Sequence, residues 1–215
     1  MGQYYRTLLV FEDGSERCAT AHDYDNGIKL MEHSWVGNDF VNAILGAIED
    51  NPARVAWVGD YSTDSIKDGC NLGSGFITSR SQFEKVYSRT WGRGRGKGVR
   101  ALPKTDKQYD FGMDSKDCYI VNKTKRCFVD LERYIKENSV PKYGGIWAIN
   151  PLPLLTAVGN GLGGGDFRGP TGMEQVGTWA FDEIYVSSLC PSKWDEAMYH
   201  FRESPTADHE EEFPF

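Results

Sequence analysis

Asp60, Asp166 and Asp182, with Glu183 beside the last, are the carboxylates whose surroundings could support chemistry. Gathered by a fold, hard oxygen ligands of this kind hold Mg²⁺ or Mn²⁺ and drive phosphoester hydrolysis, with Arg168 on the phosphate. Their spacing does not by itself bring them together, so the metal enters only with that enzyme reading and otherwise no cofactor is indicated. Trp57 and Trp179 each stand three residues before one of these acids, in Trp57-Val58-Gly59-Asp60 and Trp179-Ala180-Phe181-Asp182. On a strand such a pair points to opposite faces, so a buried Trp leaves its Asp toward solvent or a cleft.

The second candidate is the loop from Gly159 to Gly172, which holds seven glycines around Asp166 and Arg168. Gly159, Gly161 and Gly164 formally match a dinucleotide fingerprint. A working fingerprint opens a helix, whereas this loop runs on into Arg168-Gly169-Pro170, and no Gly-Lys-Ser/Thr follows for a P-loop. Two readings stay open. Backbone N–H groups of Gly161, Gly163, Gly164 and Gly165 could form an anion nest with Arg168 as a clamp, or the chain crosses itself there so closely that only glycine fits.

The third candidate is electrostatic. Between Lys85 and Lys107 there are eight basic residues and one acid, so that segment carries +7 while the rest of the chain carries −14, against a net charge of −7. Arg89, Arg93, Arg95, Lys97 and Arg100 alternate with glycine around Trp91, a pattern suited to phosphate backbones with a base stacked on the indole. A loop that satisfies acidic surroundings, or binds an acidic protein, has the same composition.

Other chemistries find no support. His22, His33, His200 and His209 make no H-x-x-x-H pattern, the five cysteines are scattered without a C-x-x-C pair, and no G-x-S-x-G elbow occurs. The opening residues MGQYYRTLLVFEDG carry neither a basic leader nor an apolar span, so a cytoplasmic chain without a membrane partner is expected.

The elements that must position these residues read as a mixture. Tyr4–Phe11 and Arg17–Ala21 form a hairpin across Asp13-Gly14. Asn26-Gly27 is a turn into Ile28–Met31, Asn38 caps a helix over Asp39–Glu49, and Arg54–Tyr61 is a strand. Ser62–Ser79 reads as a loop and Ser81–Tyr87 as a short helix. Cys118–Val121 and Arg126–Val129 form a second hairpin, followed by a helix over Leu131–Glu137. Gly145–Asn150, Leu154–Val158 and Val176–Ser187 read as strands, and Ser192 caps a last helix to Phe201. Hairpins without regular βαβ alternation predict an α+β fold with a mixed, mainly antiparallel sheet and a few helices, in a single domain. That domain spans 1–203, with a basic Gly/Arg-rich excursion at 89–117 and an acidic tail at 204–215.

The stretches MGQYY, GIKLMEH, AWVGDYS, CYIVNKTKRCFVDL, PLPLLTAVGNGLGGGDFRG and GTWAFDEIYVS together resemble a family of uncharacterised bacterial and phage proteins. In that family the segment at 179–182 reads W-A-G-D, so Phe181 replaces a glycine here. The resemblance implies membership and a bacterial or phage setting, in which immunity or counter-defence is the expected role. The leading expectation is therefore a cytosolic binding or interaction protein that sequesters or neutralises a macromolecule or a phosphorylated ligand. The alternatives are a metal-dependent phosphoesterase or nucleotide-processing enzyme and a nucleic-acid binder through residues 89–104.

Overall fold

A computed structural model describes residues 2–61, 99–102, 105–107, 109, 117–142, 145–159 and 163–202. The fold is α+β. Among the described residues, nine strands form one mixed, mainly antiparallel sheet. Its order runs β11 (Asp195–Glu196), β6 (Cys127–Asp130), β5 (Tyr119–Asn122), β10 (Glu183–Ser187), β3 (Ala53–Gly59), β1 (Tyr5–Phe11), β2 (Glu16–Ala19) and β4 (Val99–Ala101). The ninth, β9 (Ala157–Val158), lies parallel to β3 at Trp57 and Val58.

Strand β3 organises the molecule. Its full length pairs with β1, from Phe11↔Ala53 to Tyr5↔Gly59. Its other edge is shared: β10 takes Ala53 and Arg54, and β9 takes Trp57 and Val58. Val55 and Trp57 enter the main core, while Ala56 and Val58 pack with Leu8, Val158, Ala180 and Phe181 on the opposite side. A strand covered on both faces reads as the near-continuous apolar run seen in ARVAWVG.

The main core is closed by short helices. In α2 (Asp39–Ala47), Asn38 accepts the backbone N–H groups of Phe40 and Val41, as the sequence predicts. Phe40, Val41, Ile44 and Leu45 are fully buried. In α3 (Leu131–Asn138), Asp130 caps through Arg133 N–H, and Leu131, Tyr134 and Ile135 turn inward. The segment predicted to lead out of Asn26-Gly27 as Ile28–Met31 gives way to a single helical turn, α1 (Leu30–His33).

Three local expectations need correction. Leu154–Val158 is a strand only at Ala157–Val158: α4 (Pro151–Leu155) takes its first two residues, started by the Asn150 cap and by Pro151, whose fixed φ and missing N–H suit a helix start. Val176–Ser187 is a strand only from Glu183, because Gly177 (φ 78°) and Phe181 (φ 62°) are left-handed and fold the preceding residues into turns. Ser192–Phe201 forms no helix, because backbone bonds from Asp195 N–H to Arg126 O (3.2 Å) and from Ala197 N–H to Phe128 O (2.7 Å) draw it along β6. The expectations for Ser62–Ser79, Ser81–Tyr87, most of the basic excursion and the tail lie outside the described residues.

A separate two-stranded ribbon completes the fold. Here β7 (Val140–Lys142) and β8 (Gly145–Trp147) pair antiparallel with Pro141 opposite Ile146.

Candidate functional site

The carboxylate and glycine-loop candidates fall at the two ends of β3. At its carboxyl end the glycine loop crosses over the start of β1. Gly164 bridges to Gly2, and Gly165 O accepts the Met31 N–H at 3.0 Å. The crossing leaves no room for side chains. A Cβ on Gly163 would lie 2.3 Å from Gln3 Cβ and 2.7 Å from its backbone nitrogen, and one on Gly159 would lie 2.4 Å from the Tyr5 hydroxyl. Gly165, at φ 88°, adds a conformation that favours glycine.

Asp166 is buried beneath this crossing, only 7% exposed. Its Oδ1 accepts the Tyr5 hydroxyl at 2.8 Å, and its Oδ2 accepts the Gly163 N–H at 2.8 Å. The Tyr5 oxygen also stands 3.0 Å from Gln3 Oε1. Its single proton goes to the nearer acceptor, which is also the charged one. Burial, and then the Asp166 charge, push the Tyr5 phenol far above its ordinary range. An internal carboxylate thus occupies the Gly163 amide that the nest reading would offer to a ligand. Arg168 is exposed, and its Nη2 donates to Gly163 O at 3.5 Å. Asp60 is at the same end, where its Oδ1 accepts the Tyr4 N–H at 3.0 Å. Gly161 lies outside the described residues.

Beneath the crossing, Trp57 is fully buried and its indole N–H donates to His33 Nε2 at 3.1 Å. His33 Nδ1 stands 2.9 Å from Gly27 O, so Nδ1 carries the proton and the ring is neutral. Burial depresses the imidazole to about 4.

At the other end of β3, Asp182 is fully buried and its Oδ2 accepts both Lys125 Nζ at 2.7 Å and Asn122 Nδ2 at 2.8 Å. Its Oδ1 finds no partner. The same turn fastens the next residue, since Glu183 N–H donates to Thr124 Oγ1 at 3.0 Å and Glu183 pairs with Lys123. Phe181, also fully buried, is left-handed at φ 62°. Trp179 is buried and donates its indole N–H to the Tyr199 hydroxyl at 2.9 Å. Burial pushes that phenol up to about 12. The segment from Trp179 to Asp182 is a turn rather than the second strand copy of Trp57–Asp60 that the pattern suggests.

The three carboxylates are therefore not gathered. Val55 N–H bonds Asp182 O and Asp60 follows β3, so roughly 17 Å of strand separates the two ends. No group of three or more His, Cys, Asp or Glu side chains able to hold a metal occurs among the described residues. Of the basic candidates, Arg89, Trp91, Arg93, Arg95 and Lys97 lie outside the described residues, and Arg100 is described by its backbone alone, in β4 beside Arg17.

Sequence reasoning missed the β7–β8 ribbon as a surface. Ile146 is 65% exposed and Val140 38%, Pro141 is exposed as well, and Lys142 Nζ lies 4.4 Å from the centroid of the Trp147 ring. The available signal was Gly144-Gly145 between two short apolar runs, which marks a hairpin. No helix among the described residues is long and apolar enough to cross a membrane.

In comparisons with family models, curated proteins and solved structures, nothing matches this chain.

Proposed function

We infer that this chain is a binding protein that holds a protein partner, and that the β7–β8 ribbon is its contact. The observation that carries this reading is the exposure of Ile146, at 65%, opposite exposed Pro141 on a ribbon outside the main sheet. An isolated two-stranded ribbon is marginal in water, and exposed apolar side chains on it suit a partner's surface. The ribbon's other face carries exposed Val140 opposite half-buried Trp147, with Lys142 over the indole ring. A cytosolic setting in bacterial or phage immunity or counter-defence, where one protein neutralises another, follows from the family resemblance.

A photo-crosslinking amino acid placed at Ile146 in the native host tests the reading. It should yield one dominant protein adduct, and the same probe at exposed Lys193 should not give that adduct. Equal adducts from both positions, or none from position 146, would remove the ribbon as the contact.

A further inference from the structure

Three residue pairs join β7 to β8, and their order decides which backbone groups the ribbon itself uses. Lys142 and Gly145, the pair nearest the hairpin turn, stand three apart in the chain, so theirs is a hydrogen-bonded pair. The two kinds of pair alternate along an antiparallel ladder. Pro141 and Ile146 are therefore the open kind, with their backbone groups directed out of the ribbon. On its side Pro141 has no N–H to offer. Ile146 has both an N–H and a C=O, and it makes no backbone hydrogen bond outside the ribbon among the described residues.

The same edge is already paired one step further along. Ala148 gives its C=O to the Val36 N–H at 2.9 Å, and Asn150 N–H donates to Ser34 O at 3.1 Å, around the antiparallel bridge of Trp35 with Ile149. In that register the residue opposite Ile146 would be Asn38. It is withdrawn: Gly37 is left-handed at φ 85°, Asn38 N–H donates to Trp35 O at 3.2 Å, and Asn38 caps α2. The core thus stops pairing along this edge just before Ile146. The space beside it is open, since Gly145 and Ile146 are both exposed and a Cβ on Gly145 would meet nothing within 4 Å among the described residues.

Taking the ribbon as the contact, on which this rests, we propose that the outer edge of β8 takes an extended segment of the protein partner as a third strand. The N–H and C=O of Ile146 are the groups that the main chain of such a segment pairs with. The Ile146 side chain then lies beside that of the residue paired with it, which favours an apolar β-branched residue there. Two copies of the chain meeting at three-residue edges would bury far less than the roughly 1,200 Å² of a stable interface, so the segment belongs to a different protein.

The test places a photo-crosslinking amino acid at Gly145 of the full chain in the native host and varies position 146 beside it. Ile146→Val keeps the N–H and an apolar side chain, and should keep the dominant protein adduct. Ile146→Pro keeps an apolar side chain but removes an N–H that no bond within the ribbon uses, and should cut the adduct about tenfold or more. In the isolated wild-type chain the Ile146 amide should exchange with solvent about tenfold or more faster than that of Trp147, which bonds across to Val140. An adduct that survives Ile146→Pro would overturn the third strand and leave the ribbon as the contact, whereas no adduct from position 145 or 146 would remove both. Equal loss with Ile146→Val, an Ile146 amide protected in the isolated chain, or an adduct made of two copies of this chain would also overturn it.

Discussion

The two ends of β3 each bury an aspartate, and they stabilise it by opposite means. Asp166 is met by a hydroxyl and a backbone amide, under a glycine crossing with no space for a Cβ. Asp182 is met by an ammonium group and a side-chain amide, beneath a lysine whose side chain is 38% exposed. The first end is limited by shape and the second by charge. The pairing also brings together stretches far apart in the sequence. MGQYY meets the glycine loop and AWVGDYS at one end, and the NKTK turn meets WAFD at the other.

The largest effect is expected at the charged end. Lys125→Met strands a fully buried carboxylate that already has one unpartnered oxygen, and should cost about 3 kcal/mol in urea unfolding. Adding Asp182→Asn should recover part of that loss, whereas additive losses would show that Lys125 acts elsewhere. At the shape-limited end, Gly163→Ala pushes a methyl group against Gln3 and should cost about 2 kcal/mol, with little dependence on salt. Tyr5→Phe removes one donor from Asp166 and should cost about 1 to 2 kcal/mol by the same measurement.

The smallest effect is a pH dependence. His33 is held near 4 when folded, against 6.5 when unfolded, so between these values the unfolded chain binds more protons. Its contribution is complete above about 6.5 and is lost as pH falls toward 4. Stability should drop by roughly 1 kcal/mol by about pH 5.5, and a His33→Gln variant should flatten that slope. A wild-type slope that survives the substitution would assign the titration to another group.

What the sequence made legible was local. Asp13-Gly14 marks the first hairpin, Asn38 and Asp130 mark two helix starts, and the apolar run around Trp57 marks the central strand, because each signal acts within a few residues. The junctions are not local. Tyr5 and Asp166 are 161 residues apart and Lys125 and Asp182 are 57 apart, so spacing carried no sign of their meeting. The same limit explains the lost helix at 192–201: Ser192 and Asp195 look like a capping box, yet the carbonyls of Arg126 and Phe128 claim the backbone there. The glycine loop was legible as close packing or as a nest, and the positions of Gln3 against Gly163 and of Tyr5 against Gly159 favour close packing.

Both ends of β3 turn their polar groups inward, whereas the ribbon turns Ile146 outward, and that contrast is the basis of the functional reading. The most direct measurement is native mass spectrometry of the chain purified from its own host, as wild type and as Ile146→Glu. The account predicts a stoichiometric protein partner on the wild type and a bare chain with an unchanged melting midpoint for the variant. The same partner on both, or a bare wild-type chain, would contradict it.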